Sequence, residues 1–343
     1  MKNLIIALIF FPLMAHSNGV EDWVEIKPGG NTSCARGTKF SFFIHPGNTR
    51  KIIIDFVGGG ACWDEKTCKK KSITFTDSIA AFRKDAEENL NGIYDKDNSQ
   101  NPLKDWLHVV VPPCTGDIFV GEKDFTYGSG NKKFKIRHRG ATNVKAVLKY
   151  VEEHYQNPEK ILVSGCSGGS YGSIYWTPHV RKMYPGAKVY QFGDSGAGVI
   201  TQNFFDTHAI TNWDIWKNIP DWIPGTDPSK HKTIVSLYEE VGDYYPDLKL
   251  SQFNYENDGI QKEFYKLMGG KSSQWTDNMG LNLTRIKMGT QNFNYFVADG
   301  SDHCILPYEE FYTIEAWGVY FKDWLGDLVN DIPLKSYVCP YCF

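Results

Sequence analysis

The sequence has no run of positive charge and, beyond its first residues, no long hydrophobic stretch. Lysine and arginine total 37 against 40 for aspartate and glutamate, the formal net charge is −3, and the longest basic run is the three lysines at 69–71. Proteins that bind nucleic acid carry clustered basic patches, so we expect no nucleic acid partner. After residue 17 no apolar run approaches the roughly eighteen residues of a membrane-spanning helix, so we expect no stable membrane insertion.

Internal repeats and low-complexity linkers are also missing, which favours one domain over several. The chain has 343 residues, of which 41% are hydrophobic and 15% aromatic, so it can bury a large core. We interpret residues 18–343 as a single domain. Its oligomeric state is left open by the sequence.

Residues 1–17 have the pattern of a secretory signal peptide. Lys2 supplies the positive charge, residues 4–13 form a short apolar core, and residues 15–17 fit a small-x-small cleavage site. The sequence therefore predicts a secreted or periplasmic protein. Asn31 and Asn282 begin glycosylation sequons, which matter only in a host that glycosylates.

Eight cysteines in an exported chain predict disulfides rather than a metal site. Cys62 and Cys68 flank one short loop and are expected to close it. Cys339 and Cys342 have the spacing of a zinc or redox motif, but a second closely spaced pair with that spacing is lacking, so a terminal disulfide is the better interpretation. The sequence leaves the other pairings open, and we expect no metal or organic cofactor.

The stretch around which the chain is organised is Gly165-Cys166-Ser167-Gly168-Gly169, which fits the pattern G-x-S-x-G. A short β-prone run, residues 161–164, precedes it, and a segment that can form a helix to about residue 181 follows. A strand, a sharp turn and a helix are the context in which such a serine becomes an exposed nucleophile. We predict Ser167 as the nucleophile and the N–H of Gly168 as an oxyanion donor.

A second glycine-rich loop, residues 58–60, follows the apolar run 51–57. Serine hydrolases of this architecture take their second oxyanion donor from a loop in this position. We therefore predict that Gly59 or Gly60 supplies it.

A serine nucleophile needs a histidine base and a carboxylate that orients the histidine. Of the histidines after Ser167, only His303 lies in a glycine-containing loop beyond a core strand, so we predict it as the base. Order and spacing divide the choice of acid between Asp258 and Asp194, slightly favouring Asp258.

Strand-like and helix-like segments alternate along the chain and predict a mostly parallel, doubly wound α/β sheet. The predicted strands are residues 23–27, 38–45, 51–57, 106–112, 161–164, 187–192, 248–254 and 292–298. The predicted helices are residues 77–89, 141–155, the segment after Ser167, 229–240, a segment after Asp258, and 309–325. We expect 38–45 and 51–57 to form an antiparallel hairpin, 292–298 to be the last core strand, and the aromatic-rich segment before Trp222 to be a loop.

Several short blocks together resemble the pectin acetylesterase family, which includes Notum, with its bacterial branch closest. The blocks are Gly58-Gly59-Gly60-Ala61-Cys62 with Cys68, Cys114-Thr115-Gly116-Asp117, Gly165-Cys166-Ser167-Gly168-Gly169 and Gly193-Asp194-Ser195-Gly196. The resemblance implies an α/β-hydrolase fold and a Ser-Asp-His triad. It places the acid in the segment 253–261, at Asp258, and makes Asp194 a structural residue of the substrate pocket wall.

The sequence departs from the family pattern at two places near the oxyanion loops. Gly60-Ala61 stand where the family has a tryptophan, and Trp63 comes later; Gly168 replaces the usual alanine. Both changes touch the acyl pocket, so the resemblance does not carry a substrate with it. We expect Trp63, like Asp194, at the substrate-binding wall.

These observations predict a serine carboxylic ester hydrolase that works through an acyl-enzyme. The leading substrate is an O-acetyl group on a polysaccharide, because tryptophan and tyrosine in the loops can stack on sugar rings. One alternative is a lipase or protein O-deacylase that removes a longer acyl chain. Another is an inactive, carbohydrate-binding relative.

Overall fold

The computed structural model describes residues 23–88, 91–226 and 233–342, with no side-chain description for 85–88. The signal peptide predicted at 1–17 and residues 229–232 of a predicted helix lie outside these ranges. Among the described helices, none combines the length and the apolar character that crossing a bilayer requires.

The architecture is built on a nine-stranded sheet with the order β1-β2-β4-β3-β7-β8-β9-β10-β13. The strands, including two small separate pairs, are β1 Val24–Ile26, β2 Phe42–His45, β3 Asn48–Phe56, β4 Trp106–Val111, β5 Lys123–Tyr127, β6 Phe134–His138, β7 Lys160–Cys166, β8 Lys188–Asp194, β9 Leu250–Tyr255, β10 Phe293–Ala298, β11 Glu315–Ala316, β12 Val319–Tyr320 and β13 Tyr337–Val338. From β4 to β13 in this order all neighbouring strands are parallel, whereas the pairs β1–β2 and β2–β4 are antiparallel. The predicted mostly parallel α/β-hydrolase-like sheet is therefore confirmed.

Helices cover both faces of this sheet. They are α1 Glu65–Cys68, α2 Ile79–Glu88, α3 Gly140–His154, α4 Gly168–Met183, α5 Gln202–Phe204, α6 Ile234–Tyr244, α7 Gly259–Leu267, α8 Trp275–Gly289 and α9 Phe321–Val329. Successive residues of β3 enter different hydrophobic cores, Ile52 and Ile54 on one face and Ile53 on the other. Because both faces are buried, the central strands have continuous apolar runs instead of alternation.

The predicted hairpin of residues 38–57 is wrong. β4 lies between β2 and β3, with His45 opposite His108 in one pair of strands and Asn48 opposite Trp106 in the other. The connection crosses the end of β4, where the N–H of Asn48 donates to the carbonyl of Asp105 at 2.7 Å. A turn-like sequence between two strands does not decide whether a third strand is inserted between them.

Three other segment predictions are corrected. Residues 292–298 are not the last core strand, since β13 pairs with β10. The segment 309–325 is a short 3₁₀ turn, the β11–β12 hairpin and only the start of α9. The supposed loop before Trp222 contains α5 and the π-helical turns of Phe205–Trp213, and helix α8 was missed. The aromatic side chains of Phe204, Phe205 and Trp213 in the segment before Trp222 are buried in the core and do not belong to a surface loop.

Four disulfides link the described chain. The predicted pairs Cys62–Cys68 and Cys339–Cys342 are present. The sequence had left open the other two, which are Cys34–Cys114 and Cys166–Cys304. The disulfide Cys166–Cys304 joins the end of β7 to the loop that follows β10.

Candidate active site

Ser167 lies at the sharp turn between β7 and α4. Its backbone has φ 56° and ψ −120°, a conformation that costs energy for any residue with a side chain. Helix and strand approach so closely that a Cβ on Gly169 would overlap the carbonyl oxygen of Phe56 in β3. The turn therefore exposes the serine at the carboxyl edge of the sheet, as G-x-S-x-G predicts.

The close approach at this turn predicts that Gly169→Ala will strongly destabilise the protein. The added methyl group has to displace the backbone of a central strand, so we expect a loss of about 3 kcal/mol or more in the free energy of unfolding. Urea denaturation followed by circular dichroism measures it. Gly186→Ala is the matched control, because a Cβ there meets no atom within 4 Å, and it should change stability by less than about 1 kcal/mol. Equal stability of the two variants would contradict the packing argument.

His303 and Asp258 are hydrogen-bonded to each other, although 45 residues separate them. His303 follows β10, Asp258 follows the neighbouring β9, and Nδ1 of the histidine lies 2.8 Å from Oδ2 of the aspartate. Asp258 is completely buried and caps α7, where Gln261 donates to it from its backbone and its side chain at 2.8 and 2.9 Å. The other ring nitrogen of His303, Nε2, has no hydrogen-bond partner within the described chain. One nitrogen is thus held by a carboxylate while the other is left available.

Ser167 and His303 line the same cavities, and a covalent link joins their neighbours. The disulfide Cys166–Cys304 connects the residue before Ser167 to the residue after His303, with the two Cα atoms 5.8 Å apart. The structure therefore brings together Ser167, His303 and Asp258 at one edge of the sheet. A half-cystine adjacent to each of two candidate residues was the sequence signal for this link.

The two glycine loops meet beside Ser167. Gly60 has φ +67°, and a Cβ there would overlap the carbonyl oxygen of Thr74. A Cβ on Gly168 would lie 3.2 Å from the carbonyl oxygen of Gly60, so the loops are nearly in contact. Within the described chain, the N–H groups of Gly59 and Gly60 donate to no backbone oxygen outside the regular elements. This arrangement leaves amide groups next to the serine that can receive negative charge.

Two cavities open on Ser167 and His303, and they differ about tenfold in size. The main cavity, of about 750 Å³, includes residues 71–77 and several aromatic side chains, among them Phe82, Tyr94 and Tyr308. The small pocket, of about 70 Å³, is lined by apolar side chains that include Trp63, Phe204, Phe264 and Met268. Phe264 borders both cavities. Trp63, which we predicted at the substrate-binding wall, is one of the residues that line the small pocket.

Asp194 lies behind the cavities rather than on their surfaces. It is fully buried, and its Oδ2 accepts hydrogen bonds from the backbone N–H groups of Ile305 and Leu306 at 2.8 and 2.9 Å. Burial raises the pKa of Asp194 to about 7. Of the two candidate acids, Asp258 is the one hydrogen-bonded to His303.

Two groups of potential metal ligands occur in the described chain. They are Cys62, Cys68 and His138, and Cys166, Cys304 and His303. In both groups the two cysteines are joined in a disulfide, and a cysteine binds a metal ion as its thiolate.

A mostly parallel sheet, a serine at a strained strand–helix turn and a histidine bonded to a buried aspartate define the α/β-hydrolase class of fold. The profile of the pectinacetylesterase family matches residues 23–228. The match covers more than half of the sequence, and the chain belongs to the pectinacetylesterase family, a family of carboxylic ester hydrolases. The matched region includes Ser167 and ends before Asp258 and His303.

Individual relatives are distant. Pectin acetylesterase 11 of Arabidopsis thaliana is 29% identical over 147 residues, which is 42% of this chain and 36% of the relative. Palmitoleoyl-protein carboxylesterase NOTUM of Schmidtea mediterranea is 24% identical over 151 residues, 42% of this chain and 27% of the relative. The Drosophila melanogaster protein of the same name is 22% identical over 336 residues, 89% of this chain and 46% of the relative. The chain thus spans about a third of the length of the plant relative and less than half of the animal ones.

Proposed function

We propose that this protein is a carboxylic ester hydrolase in which Ser167, His303 and Asp258 form the catalytic triad. The observation that carries the proposal is the 2.8 Å hydrogen bond between His303 and the buried Asp258, at the cavity edge that Ser167 also lines. The carboxylate holds the imidazole in the tautomer whose Nε2 accepts a proton.

Acylation begins when Ser167 Oγ attacks the carbonyl carbon of the ester and His303 Nε2 takes the serine proton. The N–H groups of Gly168 and of Gly59 or Gly60 receive the negative charge that develops on the carbonyl oxygen. His303 then gives the proton to the departing alcohol oxygen, which leaves an acyl-enzyme. In deacylation, His303 takes a proton from water, the hydroxide attacks the acyl carbon, and the returning proton restores Ser167 as the carboxylic acid departs.

The size of the small pocket favours a short acyl group. An apolar cavity of about 150 Å³ takes up benzene, so one of about half that volume holds about two to three carbon atoms. The small pocket measures about 70 Å³ and begins at Ser167 and Gly168, where the acyl carbon has to lie. We infer that an acetyl group occupies it, while the alcohol part of the substrate occupies the main cavity.

The aromatic residues and the size of the main cavity support an acetylated carbohydrate as substrate, since aromatic faces bind sugar rings. Two relatives are named for pectin acetylesterase activity, in agreement with an O-acetyl ester. We further propose that the protein is exported and that residues 18–343 form one catalytic domain. Four disulfides support export, because such bonds persist in oxidising compartments.

The runner-up function is removal of a longer acyl chain, as the name of the NOTUM relatives suggests. The two functions differ in the chain length that the enzyme prefers. We expect kcat/KM for p-nitrophenyl octanoate to be about 10²-fold or more below that for the acetate, because the extra methylene groups do not fit the small pocket. Equal efficiency on both esters would favour the longer-chain deacylase.

Removing the wall between the cavities should relax this preference. Phe264→Ala joins the small pocket to the main cavity, so we expect the octanoate-to-acetate ratio of kcat/KM to rise about tenfold or more. Tyr265→Ala is the matched control, because this neighbour on α7 lines neither cavity and should leave the ratio unchanged. An unchanged ratio in the Phe264 variant would mean that the acyl group lies elsewhere.

A further inference from the structure

The backbone that follows His303 is held by the residues at the end of β8. Three successive N–H groups, at residues 304–306, donate to two side chains: the first to Ser195 Oγ at 2.8 Å, the next two to Asp194 Oδ2 at 2.8 and 2.9 Å. Both acceptor residues are at most 1% exposed. A single carboxylate and a single hydroxyl thus fix the direction in which the chain leaves His303.

The same two residues also contact the other parts of the site. The N–H of Ser167 donates to the backbone oxygen of Asp194 at 2.8 Å, and the N–H of Ser195 donates to Phe253 in β9, the strand that leads to Asp258. The Cys166–Cys304 disulfide links the serine turn covalently to the loop that carries His303. The end of β8 therefore connects all three segments that carry the proposed triad.

The carboxylate of Asp194 is costly to keep ionised. Burial raises its pKa to about 7, and its Oδ1 has no hydrogen-bond partner within the described chain. The titratable groups that act on it are His303 and three tyrosines, at positions 94, 255 and 308. Because the pKa is raised in the folded state, the ionised form costs stability, and this cost grows as the pH rises from about 4 to about 7. An amide of the same shape would avoid that cost, so stability alone does not explain an aspartate here.

We propose that Asp194, Ser195 and the Cys166–Cys304 disulfide are positioning residues that hold His303 against Ser167. Asp194 lines neither cavity, and all of these residues act on the base through the backbone on either side of it. The inference rests on the proposed ester hydrolysis by Ser167 and His303. Because a displacement of about 1 Å in a reacting group costs about 10²-fold in rate, loss of these contacts should appear in kcat.

The test measures p-nitrophenyl acetate hydrolysis by Asp194→Ala and by the double variant Cys166→Ala/Cys304→Ala. We expect kcat to fall about 10²-fold in each, with KM changed less than about threefold. Asp194→Asn should retain kcat within about tenfold of the parent, because its amide oxygen can accept the same two N–H groups. The matched control is Cys339→Ala/Cys342→Ala, which removes a disulfide whose cysteines line neither cavity and should leave kcat unchanged.

Thermal unfolding at pH 8 separates positioning from a merely structural role. Asp194→Asn should melt no lower than the parent, because the buried charge is gone, and its kcat should exceed that of Asp194→Ala by about tenfold or more. The proposal is overturned if Asp194→Ala and the Cys166/Cys304 double variant keep kcat within about twofold, or if activity falls only in proportion to the folded fraction. Should Asp194→Ala not fold, the double-cysteine variant decides the question. Full activity in Ser167→Ala would instead refute the proposed function itself.

Discussion

Ser167→Ala is expected to reduce kcat for p-nitrophenyl acetate by about 10⁵ to 10⁶-fold, the scale seen when the nucleophile of a serine hydrolase is removed. Acyl-enzyme formation needs the serine oxygen, and only the oxyanion donors and substrate binding remain to assist direct attack by water. The turn itself should survive, because alanine adds no atom to the strained backbone at φ 56°. Steady-state hydrolysis and labelling by a fluorophosphonate probe measure the effect, and both should be lost together.

Ser301→Ala is the matched control for this variant. Ser301 lies two residues before His303, and its side chain is exposed to solvent, so it offers a nearby hydroxyl that does not belong to the proposed triad. The control should keep full activity and full labelling. If the unmodified protein is folded but neither labels nor hydrolyses any ester of a substrate panel, the inactive carbohydrate-binding relative becomes the better interpretation.

Asp258→Asn is expected to lower kcat by about 10⁴-fold with little effect on stability. Asparagine caps a helix about as well as aspartate, so the hydrogen bond from the backbone of Gln261 should persist. An amide facing Nδ1 of His303 can donate to it instead of accepting, which stabilises the tautomer that carries its proton on Nε2. That histidine cannot take the proton from Ser167. Kinetics on p-nitrophenyl acetate and urea denaturation of the same preparation separate the two roles.

The matched comparison for this variant is Asp194→Asn, at the other candidate acid. If Asp258 orients the base, its asparagine variant should be about 10³-fold less active than the one at position 194. The reverse order of activities would transfer the acid role to Asp194 and contradict the hydrogen-bond assignment. Asp258→Ala, which also removes the cap of α7, should cost about 1 kcal/mol of stability in addition.

Much of the site could be predicted because its signals are local. The turn around Ser167 needs glycines at fixed offsets, and the chain order of serine, acid and histidine follows from consecutive strands ending at one edge. The choice between Asp258 and Asp194 was not local, since both follow strands of the same sheet. The hydrogen bond to His303 favours Asp258, and the contacts of Asp194 with residues 305 and 306 give it a different place.

The sequence by itself determined the class of fold, the serine turn, the two short-range disulfides and the family. The serine turn and the two disulfides depend on residues close together in the chain, where spacing limits the possible geometry, and the class of fold and the family depend on the order of such local patterns along it. Only the tertiary structure decided that β4 separates β2 from β3, that Cys166 pairs with Cys304, and that apolar side chains from distant segments leave a pocket of about 70 Å³ beside Ser167. These features arise from contacts between residues far apart in sequence, whose pairing depends on how the whole sheet and its helices pack.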